Sequence, residues 1–223
     1  MIDPLRIEAQ GLPIITKNHM VFFGCSYTKG TGLTNINQHY ATHMANSLGK
    51  ISLNFAECGL NNYAIFDLFS QCDFVDNDIP VVVQLTQLSR VQVYDTKLKS
   101  IMMSNQPTPG LLEVYNDKFL IYDMVRQLRM LVKYARLCKI KLILWSIART
   151  NNSELDNIIE TYLTKYPEYI FMDNRLGVDG SYRVDNGTDG SSVLGDGHPG
   201  PKSNVVIAEK LLTHYNKLYK LYK

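Results

Sequence analysis

Met20-Val21-Phe22-Phe23-Gly24-Cys25-Ser26-Tyr27-Thr28 is the stretch on which the fold turns. Four apolar residues, too few for a helix, run straight into Gly, Cys and Ser, the pattern of a buried strand that ends in a tight turn. Outward from it, similar short runs recur at Ile51–Leu53, Val81–Leu85, Lys141–Ile147 and Tyr169–Met172. Helical patterns fill the intervals near Gln38–Leu48, Asn62–Gln71, Asn116–Cys138 and Ser153–Lys165, and a last one runs from Lys202 to Leu221. In the third, Leu120, Met124, Leu128, Leu131, Ala135 and Cys138 recur every three or four residues and give one apolar face. This alternation predicts an α/β fold with a central parallel sheet of about five strands, covered by helices on both faces. No repeat or low-complexity linker divides the chain, which predicts one domain over residues 1–223.

The 223 residues are 45% hydrophobic and 20% charged, a globular balance. A domain of this size buries roughly 70% of the surface its unfolded chain exposes, so neither metal nor disulfide is needed to hold it. Lys plus Arg number 23 against 21 acids, a formal charge of +2. That argues against a nucleic-acid partner, which needs a concentrated basic face. Lys217, Lys220 and Lys223, interleaved with Leu218, Leu221 and tyrosines, read as the end of an amphipathic helix. No run approaches the roughly 20 apolar residues of a membrane span. Residues 1–10 carry Asp3, Arg6 and Glu8 and lack a signal-peptide core. Cys25, Cys58, Cys72 and Cys138 show no paired spacing and read as reduced thiols. The expected place is the cytoplasm, with signal-independent export, for example in a virus particle, left open.

Two segments break the alternation. Thr96–Leu112, with Asn105, Pro107, Pro109 and Gly110, reads as an irregular excursion or lid after the third strand. Asn174–Pro201 has seven glycines and four aspartates and no periodicity. Long loops of this kind in a compact domain are usually functional or disordered. In open α/β sheets, ligands sit beyond the carboxyl ends of the strands, where such loops emerge.

Ser26 follows the first strand directly, which puts its hydroxyl at the rim of the sheet beside outward-facing amides able to stabilise an anion. The plainer role for such a Ser is to cap a helix. Near the other end stands Gly195-Asp196-Gly197-His198-Pro199-Gly200. A serine nucleophile needs a base, usually His, and that His needs a carboxylate to fix its tautomer. His198 and Asp196 supply these types on one loop. A His in a Gly-rich loop is otherwise an ordinary solvated residue.

These blocks resemble the SGNH (GDSL-type) hydrolases, esterases and acyl hydrolases on a three-layer flavodoxin-like fold. Gly24-Cys25-Ser26-Tyr27-Thr28 with Gly30 and Gly32-Leu33 matches the nucleophile block, with Cys25 where the common form has Asp. Asn54 to Asn62 resembles the second block, which implies that the Gly59 amide donates to the oxyanion. Asp196-Gly197-His198-Pro199 is similar to the last block, though its Asp-to-His spacing is one residue short, so Asp185 and Asp189 compete for the acid. The third block, Gly-x-Asn-Asp, is replaced by Gln84-Leu85-Thr86-Gln87-Leu88-Ser89-Arg90, and Gln87 falls where the oxyanion Asn would be. The resemblance implies an ester substrate, weakly a carbohydrate O-acetyl ester given the Tyr, Asn and Asp of the loops. Catalysis would run through Ser26, Asp196 and His198, with an oxyanion hole of Ser26, Gly59 and Gln87, and without cofactor or metal.

Four other readings compete. A module of the same fold that binds a sugar or partner without turnover would explain the lost third-block Asn. A flavin phosphate would fit the composition of Ser26-Tyr27-Thr28-Lys29-Gly30-Thr31-Gly32 but has no use for Asp196 and His198. Cys25 is a rival nucleophile, although neighbouring side chains on an extended segment point opposite ways. His39 and His43 stand at a zinc-ligand spacing, but no third ligand is evident, and a surface or half-buried pair is the plainer reading.

Overall fold

Alternate residues of the first strand face opposite sides, and both sides are buried. That single fact requires helices above and below the sheet. The computed structural model describes residues 13–86, 91–95, 100–104, 117–146, 160–172, 181–186 and 198–219. In chain order the elements are β1 (His19–Phe23), α1 (Ser26–Lys29), a 3-10 turn (Ile36–Gln38), α2 (Tyr40–Ser47), β2 (Ile51–Asn54) and α3 (Asn62–Ser70). Then come β3 (Pro80–Leu85), β4 (Val91–Asp95), β5 (Ser100–Ser104), α4 (Asp117–Leu137), β6 (Lys141–Ser146), β7 (Tyr169–Phe171) and α5 (Pro201–Tyr219).

The main sheet has the order β2-β1-β3-β6-β7, all parallel. Val21 and Phe23 point to one face, where α3 and α4 bring Ile65, Phe69, Leu128 and Leu131. Met20 and Phe22 point to the other, where α2 and α5 bring Tyr40, Met44, Ile207 and Leu211. The result is the expected three layers around five parallel strands. The strand order reverses between β1 and β3, and the crevice beyond the carboxyl ends there is where this architecture takes its ligands.

The main-sheet strands lie within a residue or so of their sequence expectations among the described residues. The segment after β3 departs from them. Thr96–Leu112 is not irregular throughout, because Ser100–Ser104 pairs antiparallel with Val91–Asp95. Only a short connection separates these two runs, which suits a hairpin, whereas parallel strands need a long crossover. The remainder of that stretch lies outside the described residues. So do residues 153–159 of the expected fourth helix, of which 160–163 are helical, and most of Asn174–Pro201. Among the described residues no helix is long and apolar enough to cross a membrane.

Gly24 marks the point where the chain leaves the sheet. A Cβ placed there would stand 2.3 Å from Thr28 Oγ1 and 2.8 Å from Gln84 Cβ. No rotamer change relieves a contact with another residue's Cβ. Gly24→Ala should therefore destabilise the protein by about 1–3 kcal/mol, the usual cost of overpacking. An unchanged urea midpoint would contradict this close approach.

Candidate active site

The turn after β1 is built by hydrogen bonds rather than by propensity. Cys25 occupies the N-cap position of α1 in an extended conformation, and its side chain makes no cap bond. Ser26 is the first helical residue, so it does not serve as the cap. Gly30 ends the helix at φ +86, in the left-handed region that glycine tolerates. Its N–H donates to Ser26 O at 3.1 Å and to Tyr27 O at 3.3 Å, and the Thr31 N–H also donates to Ser26 O, at 3.0 Å.

The missing cap is supplied from the neighbouring strand. Gln84 on β3 is fully buried, and its Oε1 accepts from Thr28 N–H at 3.2 Å, Thr28 Oγ1 at 2.6 Å and Cys25 N–H at 3.4 Å. Cys25 Sγ lies 3.6 Å from the same oxygen, so the thiol is directed at β3 and is 2% exposed. That placement suits a packing residue better than a nucleophile. Tyr40 OH donates to Thr28 Oγ1 at 2.9 Å, which extends the chain of bonds into α2.

The second block runs alongside this turn. Phe55 N–H donates to Phe22 O at 2.9 Å and Glu57 N–H to Gly24 O at 3.3 Å, which continues the β1–β2 ladder past the strands. Asn54 Nδ2 donates to the Thr28 carbonyl, Cys58 Sγ lies 3.1 Å from Thr31 Oγ1, and Glu57 forms an ion pair with Lys29. Gly59, at φ +82, follows directly. At the end of β3, Asn62 pairs with the Thr86 backbone in both directions, accepting at 2.8 Å and donating at 3.2 Å. Gln87, the next residue, lies outside the described ones.

His198 reaches the same region from the far end of the chain. Its ring centroid lies 5.2 Å from that of Tyr27, the residue after Ser26. Two polar residues seat its loop. Asn204 Nδ2 donates to Pro199 O at 3.1 Å and Gly200 O at 3.0 Å, while its Oδ1 accepts from Tyr40 N–H at 3.1 Å. Asp185 accepts from Lys202 N–H at 2.9 Å and Ser203 N–H at 2.7 Å, and also takes the Ser203 hydroxyl. Both Asp185 oxygens thus cap α5, where an anion also complements the helix dipole. Asp196 and Asp189 lie outside the described residues.

The structure also bears on the rival sites. The amides of Lys29, Gly30, Thr31 and Leu33 donate to carbonyls within the turn, and Thr28 N–H donates to Gln84. A phosphate cradle would need such amides open. His39 is fully buried, and its Nε2 donates to Tyr27 O at 3.2 Å, so this nitrogen belongs to the turn rather than to a site shared with His43. Burial pulls the His39 pKa down to about 4, and the Tyr27 bond opposes the shift only in part.

The sequence matches no protein-family model and no curated protein. Solved structures do match in shape. An acetyl xylan esterase from the rumen bacterium Butyrivibrio proteoclasticus aligns over 94% of this chain and 66% of its own, at TM-score 0.58 and 14% identity. The chain thus spans about two thirds of that relative's length. A carbohydrate esterase, described as having an active site with divergent catalytic and non-catalytic binding functions, aligns over 92% and 70%, at TM-score 0.56 and 15% identity. A GDSL-like lipase from Bacteroides thetaiotaomicron aligns over 96% and 95%, at TM-score 0.53 and 14% identity. The fold is that of the SGNH hydrolases. Its neighbours across nearly the full chain are esterases and acyl hydrolases of that group.

Within this SGNH fold, sequence reasoning missed Gln84, Asn62, Asn204 and the capping role of Asp185. Gln84 left one signal, a lone carboxamide in the otherwise apolar run Pro80–Leu85. A buried polar group is nearly always hydrogen-bonded, so such a residue points to a partner.

His39 yields a prediction about pH. Its folded pKa, about 4, lies below the ordinary 6.5, so between these values the unfolded chain binds the extra proton. Stability therefore falls as pH drops through that window, by up to roughly 1.4 kcal/mol per unit. His39→Gln should remove about 2 kcal/mol of the loss between pH 7 and 5, read from urea midpoints. Parallel curves for wild type and variant would contradict it.

Proposed function

We propose that the protein is a serine esterase working through an acyl-serine, with a carbohydrate O-acetyl ester as the favoured substrate class. The observation that supports it most is the packing of the Tyr27 and His198 rings at 5.2 Å, which sets His198 beside the residue that follows Ser26.

Ser26 Oγ attacks the ester carbonyl carbon while His198 takes its proton. The carbonyl oxygen becomes an oxyanion, held by the amides of Ser26 and Gly59 with the Gln87 carboxamide. Collapse breaks the bond to the alcohol, which leaves with the proton from His198. Water then attacks the acyl-serine, His198 takes the water's proton and returns it to Ser26, and the acid departs. Asp196 fixes the His198 tautomer and steadies the imidazolium. The engagement of Asp185 with α5 favours Asp196 or Asp189 over it.

A second reading keeps the pocket and drops the turnover. The absence of the third-block Asn favours it, and one structural neighbour is described as having non-catalytic binding functions. Hydrolysis of p-nitrophenyl acetate and of acetylated xylo-oligosaccharides separates the two. The esterase reading expects hydrolysis that Ser26→Ala abolishes and that His198→Ala lowers about 10³-fold or more in kcat. Asp196→Asn should lower kcat strongly, whereas Asp185→Asn should act mainly on stability, by about 1 kcal/mol. Saturable binding of the acetylated sugar without hydrolysis would establish the binding module instead.

A further inference from the structure

Ser26 is bracketed by two residues whose backbone amides converge on one atom. Gln84 Oε1 accepts from Cys25 N–H, the residue before Ser26, and from Thr28 N–H and Oγ1, two residues after it. The carboxamide has only one usable orientation, because a flip would turn its NH2 toward three donors. Its Nε2 is buried and has no hydrogen-bond partner among the described residues. A polar group is rarely left so, and the cost of the orphaned NH2 means that the oxygen at its other end has a role worth keeping.

The β1–β3 register puts Val83 opposite Phe23, so Gln84 follows alongside Gly24. The absence of a Cβ at Gly24 is what lets the Gln84 stem and the Thr28 hydroxyl approach the turn. An apolar residue at position 84 would fill the same space, yet it would leave the Cys25 and Thr28 amides and the Thr28 hydroxyl without this acceptor. The Tyr40 hydroxyl, donating to Thr28 Oγ1, fixes the direction of the Thr28 proton toward Gln84.

We infer that Gln84 is a positioning residue for the nucleophile: it locks the turn on both sides of Ser26 and so sets the direction of the Ser26 hydroxyl. This rests on the esterase reading for its catalytic consequence, though not for its structural one. Catalytic groups must be held within about 0.5 Å of their working geometry, and a misplacement of about 1 Å can cost on the order of 10²-fold in rate. The loss is expected in kcat, since Gln84 is fully buried and would act through the turn rather than on the substrate.

The test compares Gln84→Met, which keeps length without an acceptor, with Gln84→Glu, which restores an acceptor in the same place. Folding is checked by circular dichroism, and Tyr40→Phe serves as a milder second variant. The inference expects Gln84→Met to lower kcat on p-nitrophenyl acetate about 10²-fold with KM within a few-fold. It expects Gln84→Glu to recover most of that loss, and Tyr40→Phe to cause a smaller drop. Amide exchange read by mass spectrometry should speed up across residues 24–30 in Gln84→Met, with residues 141–146 of β6 unchanged. Equal kcat, or equal exchange at 24–30 in folded Gln84→Met, would overturn the inference. If Gln84→Met does not fold, Tyr40→Phe decides by the same readouts, and kcat and exchange at 24–30 equal to wild type there would overturn the inference. Wild-type protein without any hydrolysis would defeat the esterase reading, and the exchange comparison would still decide whether Gln84 holds the turn.

Discussion

The close approach of β1 to β3 at Gly24 is the constraint on which the site depends. Two adjacent parallel strands whose outgoing chains turn to opposite sides open a crevice at their carboxyl ends. Here the chain from β1 must turn at once, because Cys25 and Ser26 enter α1 directly. Only a residue without a side chain fits between Thr28 and Gln84 at that point. The sheet thereby sets Ser26 just beyond the carboxyl end of β1, and the same approach brings the Gln84 oxygen within reach of the turn.

A common device recurs at the Ser26 turn, the end of β3 and the His198 loop. Each is held from beneath by a buried carboxamide, Gln84 under the Ser26 turn, Asn62 at the end of β3 and Asn204 under the His198 loop. Such groups are costly if unpaired and directional if paired, so they fix one arrangement where apolar packing would tolerate several. Tyr40 links two of them, giving its backbone N–H to Asn204 and its hydroxyl to Thr28. The Ser26 turn and the His198 loop are therefore tied through the start of α2 rather than only through each other.

Much of the fold was legible because local and long-range preferences agree. Val81–Leu85 is apolar but for Gln84 and buried throughout, and the period of Met124, Leu128, Leu131 and Ala135 matches the face α4 buries. The β4–β5 hairpin was not legible, since Asn105, Pro107, Pro109 and Gly110 drew attention to the irregular part of the segment and away from Ser100–Ser104. Among the candidate site residues, Ser26 and His198 stand out by type and setting, and Gly59 by resemblance. Asn62 and Asn204 did not stand out, because Asn near a helix start reads as an ordinary surface or capping residue. Their partners, the Thr86 backbone and the Pro199 carbonyl, are distant or conformation-dependent and leave no trace in local pattern. Asp185 read as a candidate acid because sequence gives residue type but not which donors are near.

The central claim is that Ser26 is a nucleophile activated by His198. The most direct measurement is reaction with an alkyl fluorophosphonate, which phosphonylates activated serines with loss of fluoride, followed by intact-mass and peptide mass spectrometry. The account predicts one adduct per chain, located on Ser26 and lost in His198→Ala at matched folding. No adduct, or one on Cys25 or another residue with Ser26 unmodified, would contradict it.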